Sequence, residues 1–167
     1  CMRDSVENVF QAEEIAKAAR FGLGGRGYAG STRWAGYATK KMTGLLAQSK
    51  DETVVIAQIE EPSAVEIAGE IASIDGIDGL FAGPADLSVG MGFENQDTNE
   101  LKTALKKTGV AAKQNGKGYA SFIGDANQAK SWTENYGVNM FFVSSEHNFI
   151  RNKANEIALQ VKANPEK

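Results

Sequence analysis

A chain of 167 residues with 42% hydrophobic and 23% charged residues is long enough for one ordinary domain with a sizeable core, and its composition excludes a disordered or fibrous protein. With 18 Lys and Arg against 21 Asp and Glu, the formal charge of −3 offers no attraction for a polyanionic backbone, which argues against a nucleic-acid partner. The single cysteine, Cys1, has no second thiol for a disulfide or zinc site, and no apolar run approaches the roughly 18 residues that span a bilayer, so a cytoplasmic protein without a membrane partner is expected.

The first residues, Cys1 to Arg3, read as the end of a strand, and with Met second the chain is expected to begin inside a longer parent. Asn8 and Gln11 form an N-cap and N3 pair, and Val9, Ala12, Ala16 and Ala19 then recur at helical spacing, predicting a helix over 9–20. Gly22 to Gly30 is too rich in glycine for regular structure, and Thr32 to Gln48 is helix-compatible. TVVIAQI, 53–59, is a short β-branched run of the kind a parallel strand buried on both faces shows. A short helix follows Pro62 on Ala64, Ile67, Ala68 and Ile71, and DGIDG leads into a strand over 79–83. Thr98 caps a helix carrying Leu101, Ala104, Leu105, Thr108 and Ala112, followed by a strand over 118–123. Asp125 caps a helix with Ala126, Ala129 and Trp132 facing in, and VNMFFVSS and 148–162 supply the last strand and helix. Strict alternation implies an α/β fold with a parallel sheet. Periodicity leaves two forms open, a small doubly wound parallel sheet or one part of an eight-stranded barrel.

In either form, chemistry sits beyond the C-terminal ends of the strands. Glu60 directly follows the strand TVVIAQI, and Asp86 follows GLFAG through Pro84 and Ala85. Strands adjacent in an alternating chain are usually adjacent in space, so the two carboxylates should converge. As a pair of hard oxygen donors they suit Mg²⁺ or Mn²⁺, with Co²⁺ tolerated; as single residues they read equally as solvated loop acids. GPADLS is either an ordinary strand-to-helix turn or a turn whose Ala85 and Asp86 amides meet an anion. GLGGRG fails as a nucleotide cradle, because it follows a helix and lacks a closing Lys-Ser or Lys-Thr pair. Lys102, Lys106 and Lys107 read as a solvated face. Trp34, Trp132, Phe141 and Phe142 read as core or subunit contacts.

The run AQIEEPSAVE followed by IASIDGIDGLFAGPADLSVGMG resembles the HpcH/HpaI aldolases, metal-dependent enzymes that make or cleave 2-oxo acids. The resemblance extends from residue 1 to about residue 162. It implies the C-terminal portion of a (β/α)₈ TIM barrel, from the end of strand 4 through helix 8, with 1–167 a single partial domain lacking its N-terminal half. It also implies that Glu60 and Asp86 hold a divalent metal, that Gln58 touches the substrate, and that Ala85 and Asp86 lend amides to its carboxylate. The family's catalytic His and Arg belong to the missing half, so no catalytic residue is assigned on this chain. His147 reads as a loop residue. The glycine-rich stretch would lie near the active-site mouth and subunit contacts, with Arg26 and Arg33 meeting substrate or solvent. The activity implied is class II aldol cleavage of a 4-hydroxy-2-oxo acid to pyruvate and an aldehyde, in an intact homo-oligomeric parent, the chain alone being inactive. The rivals are a non-catalytic half-barrel that binds metal and oxo acid, and a citrate-lyase-like or malyl-CoA-lyase-like enzyme.

Overall fold

A computed structural model describes residues 2–3 and 5–163, so Cys1 lies outside the described residues. Five parallel strands stand side by side in chain order, β1 (Met2–Arg3), β2 (Ile56–Ile59), β3 (Gly79–Ala82), β4 (Gly118–Ile123) and β5 (Met140–Val143). The order never reverses, whereas a doubly wound sheet requires a reversal at its switch point, and that alternative is set aside.

Helices connect the strands: α1 (Val9–Ala18), α2 (Met42–Glu52), α3 (Pro62–Glu66), α4 (Ala68–Ser73), α5 (Pro84–Gly90), α6 (Asn99–Gln114), α7 (Ala129–Tyr136) and α8 (Glu146–Ala163). The Asn8 and Thr98 side chains accept from the amides of Gln11 and Leu101, so both predicted caps form. Three expectations need correction. The helix expected over 32–48 begins only at Met42, because Gly36, Tyr37 and Ala38 take left-handed backbone angles (φ 62°, 52° and 70°) that no helix continues through. The helix after Pro62 breaks at Ile67 into α3 and α4. Asp125 caps a short 3₁₀ turn, Ala126–Gln128, instead of α7 itself, which leaves Ala126 exposed. Trp132 and Phe141 pack against the core as expected, whereas Trp34 and Phe142 remain 37% and 41% exposed.

Alternation along the strands gives the sheet two unlike faces. Ala57, Leu80 and Tyr119 stand in register on one face, with Ile59 and Ala82 one step on, and join Ile15, Ile71, Leu101 and Leu105 of the helices in a single core. Gln58, Phe81 and Ala120 share the other face, and further along it Phe122 and Phe142 are each 41% exposed. Parallel sheets ordinarily have both faces covered. Here one face is covered by the chain's own helices, and no residue of α8 is buried. No helix among the described residues is long and apolar enough to cross a membrane.

The N-terminal end of the sheet is tied off by polar contacts. Asp78 accepts from the Val55 amide at 2.7 Å and from Arg20 at 3.2 Å, and Lys117 donates to the Ile77 carbonyl at 2.6 Å. Phe21 and Gly22 line a cleft with Asp78 and Lys117, so the glycine-rich stretch starts at this end, opposite the C-terminal strand ends. Arg26 lies over the Phe21 ring at 4.3 Å, and both Arg26 and Arg33 are exposed.

Candidate functional site

The C-terminal ends of β2 and β3 carry the residues singled out in the sequence. Hydrogen bonding continues past the strands, with the Val6 amide donating to the Gln58 carbonyl at 2.9 Å and the Gly83 amide to the Ile59 carbonyl at 3.3 Å. This extended pairing fixes where Glu60 and the Gly83 turn emerge. Ser121 anchors the same edge from β4, its hydroxyl donating to the Ala82 carbonyl at 2.9 Å. Pro84 then opens α5, where its fixed φ fits and its missing N–H is not needed. The Ala85 and Asp86 amides fall in the first turn, which an α-helix cannot satisfy internally.

Gln58, Glu60, Ala85 and Asp86 all line one cleft of about 500 Å³. The two carboxylate residues thus border the same cleft. Glu60 is half-buried, while Ala85 and Asp86 are exposed at the rim. The Glu60 carboxylate is confined from two sides. Gln58 Nε2 donates to its Oε1, and a Cβ built on Gly83 would stand 2.7 Å from that same oxygen. Glycine at 83 is thus a packing requirement: only a residue without a side chain leaves room for the carboxylate.

Phe81, Gln96, Phe122, Gln128 and Trp132 complete much of the cleft wall, and no motif in the sequence assigns them there. Gln128 had one local signal, its position three residues after Asp125. Its Oε1 accepts from the Gly124 and Asp125 amides at 3.0 and 3.1 Å, which closes the loop after β4. His147 does not line the cleft; it stands on the first turn of α8 with its side chain 88% exposed, beside Glu146 at 3.5 Å. The lysines of α6 form a solvated face, as expected, with Lys102 paired to Asp97 and Lys107 to Glu66. The Asp97–Lys102 pair draws the carboxyl below its usual pKa and the ammonium above its own, through their hydrogen bond and mutual charge.

Among the described residues no group of three or more His, Cys, Asp and Glu forms a metal cage. Two carboxylates on one cleft are a hard, sparse donor set. Such a set suits a divalent ion that takes its remaining ligands from water and from a bound oxo acid, and it is poor for zinc.

Residues 2–145 match the description of HpcH/HpaI aldolase/citrate lyase. The chain belongs to that family. It is 30% identical over 156 residues to the hydroxypyruvate/pyruvate aldolase of Delftia acidovorans, covering 89% of this chain and 55% of that protein. It is 31% identical over 135 residues to the 4-hydroxy-2-oxo-heptane-1,7-dioate aldolase of Escherichia coli, covering 77% of this chain and 50% of that protein. An HpcH/HpaI aldolase/citrate lyase family protein from Burkholderia cenocepacia superposes with a TM-score of 0.87 at 26% identity, over 96% of this chain and 64% of that one. The chain spans about half the length of the curated relatives it matches. The family and these relatives are named as aldolases and lyases.

Proposed function

We propose that this chain is the metal- and oxo-acid-binding portion of a carbon–carbon lyase, a class II aldolase that cleaves 4-hydroxy-2-oxo acids to pyruvate and an aldehyde when its barrel is complete. The observation that carries the reading is the meeting of Gln58, Glu60, Ala85 and Asp86 in one cleft at the C-terminal strand ends. The partial-barrel reading rests on the unreversed strand order and on the open face bearing Phe122 and Phe142. Inward-facing side chains of a barrel meet the strands opposite, whereas Phe122 and Phe142 are each left 41% exposed.

In this reading Glu60 and Asp86 hold Mg²⁺ or Mn²⁺, and the ion supplies Lewis acidity toward the oxo acid's oxygens. The chain's own part is orientation. The first-turn amides of Ala85 and Asp86 receive the substrate carboxylate, where helix-end N–H groups favour negative charge. Gln58 holds Glu60 in place, and the Phe81 and Phe122 rings give that side of the cleft an apolar wall. Proton transfer is assigned to the part of the barrel this chain does not match, since the cleft wall holds no histidine among the described residues.

Calorimetric titration of Mn²⁺ into wild type, Glu60→Ala and Asp86→Ala tests the site, and both variants should bind at least tenfold more weakly. Equal affinity in all three would remove these residues from the metal site. Pyruvate release from a 4-hydroxy-2-oxo acid should appear only when the missing barrel half is supplied, and should vanish there on Asp86→Ala. Mn²⁺ binding without turnover in the completed protein would favour the non-catalytic module, and dependence on a CoA thioester would favour the citrate-lyase-like reading.

A further inference from the structure

The loop after β4 brings to the cleft a polar group that the metal-binding reading leaves unused. Gln128 borders the cleft together with Phe122 and Trp132, across β3 from Glu60. Its amide is turned one way only. Oε1 accepts from the Gly124 and Asp125 amides at 3.0 and 3.1 Å, and a reversed amide would set N–H against N–H there, so the loop itself fixes the orientation. Nε2 is then the free end, with no hydrogen bond among the described residues. Phe122 is 41% exposed and Trp132 half-buried, so this side of the cleft is an aromatic wall that carries an oriented donor. Apolar walls with a few placed polar groups are what orient a small ligand. The strands β2, β3 and β4 are consecutive neighbours, and at about 4.8 Å per step the end of β4 lies roughly 10 Å from the end of β2. A metal ion and the carbon chain of a short oxo acid together span such a gap.

We propose that Gln128 reads the end of the ligand remote from the metal: its Nε2 donates to a hydroxyl or carboxylate oxygen carried by the aldehyde-derived part of the oxo acid. Gln128 is a specificity-determining residue and takes no part in proton transfer. The inference rests on the function proposed above for the metal-held end of the ligand. It goes beyond that function in naming what the aldehyde carries, an oxygen acceptor in place of a plain alkyl end.

Gln128→Glu is the variant to test, because a carboxylate still accepts from the Gly124 and Asp125 amides and only the donor is lost. The probes are 2-oxopentanoate, 5-hydroxy-2-oxopentanoate and 2-oxoglutarate, which share one chain length and lack the 4-hydroxyl that cleavage needs. By calorimetry on the full chain at saturating Mn²⁺, wild type should bind at least one of the two oxygen-ended acids about three- to tenfold more tightly than 2-oxopentanoate, the worth of one hydrogen bond. The tighter of the two tells whether the aldehyde end carries a hydroxyl or a carboxylate. In Gln128→Glu, 2-oxoglutarate should fall below 2-oxopentanoate through like-charge repulsion, while 2-oxopentanoate is held as before. Binding of all three with the same ranking in wild type and variant overturns the inference and leaves the metal-binding reading standing. Wild type that binds none of the three removes the function proposed above, and this inference with it. A second measurement needs no variant. With Mg²⁺ in place of Mn²⁺, the Gln128 side-chain amide resonances in ¹⁵N-resolved NMR should move on adding the preferred oxygen-ended acid and stay in place with 2-oxopentanoate; equal shifts with both overturn the inference even where Gln128→Glu fails to fold.

Discussion

Replacing Gly83 by alanine separates the site's geometry from the stability of the fold. The backbone there has φ −91° and ψ 97°, angles open to any L-residue, so the substitution carries no conformational strain. The added methyl would lie 2.7 Å from Oε1, 2.9 Å from Cγ and 3.2 Å from Cδ of Glu60. Carbon atoms rest comfortably at about 3.5–4.0 Å, so the carboxylate must retreat by roughly 0.5–1 Å. Such a shift would disturb the hydrogen bond that the Gln58 amide donates to the same oxygen. Misplacing a positioned group by that much costs up to about a hundredfold in function. Stability should move little, because the lost freedom of the unfolded chain stabilises by about 0.4–1 kcal/mol and offsets crowding against the end of a flexible side chain. The expected result is a ten- to hundredfold loss of Mn²⁺ affinity by calorimetry, roughly that carried by a 1.4–2.8 kcal/mol change, with thermal unfolding nearly unshifted. Gly124→Ala is the control, since at the same cleft its methyl would meet only Gln128 Oε1 at 3.8 Å. Unchanged affinity in Gly83→Ala, or an equal loss in Gly124→Ala, would refute the argument that Gly83 makes room for Glu60.

Tyr119→Phe removes a buried hydroxyl that donates to the Leu105 carbonyl at 2.8 Å and should cost about 1 kcal/mol near neutral pH, measured by urea unfolding. Burial pushes the phenol's pKa up, so the folded state keeps its proton where the unfolded state loses it; wild-type stability should therefore fall as pH rises through about 10, and the variant should lack that fall. Gly109→Ala forces a methyl into the Tyr136 carbonyl and the Tyr119 ring, an overpacking worth about 1–3 kcal/mol by the same assay. Light scattering on the chain alone should show dimers or larger species, because among the described residues the sheet has two unpaired edges and Phe122 and Phe142 are partly exposed; a monodisperse monomer with a sharp transition would count against the partial barrel.

Where local chemistry dictates structure, the sequence was legible. Asn8 and Thr98 cap the helices they were expected to cap, and 118–123 is a strand over the residues predicted. The apolar runs gave the strands because parallel strands carry their burial in consecutive residues. The region 32–41 departs from the expected helix because, although its composition is compatible with one, its path is set by left-handed angles at Tyr37 and Ala38 that no propensity signals. Helical spacing from Asp125 puts Ala126 inward, but a 3₁₀ turn of different period intervenes. At the site, Glu60 and Asp86 were legible because strand ends in a parallel fold are predictable positions. Phe81 and Trp132 were not, since an aromatic residue in an apolar pattern looks the same whether it faces the core or a cleft.

The two faces of the sheet divide the work between them. Ala57, Leu80 and Tyr119 face the helices and are almost wholly buried, so changes there act on folding. Gln58 and Phe81 alternate with them on the same strands but face the cleft, so changes there act on what the cleft holds. Glu60 stands where β2 has ended, and its position comes from neighbours on both strands: the amide of Gln58 and the missing side chain of Gly83. A carboxylate fixed in this way can keep its place although the face around it is open. On the proposed function, the binding of metal and acid can therefore be tested on this chain, while turnover would require strands standing opposite Phe122 and Phe142.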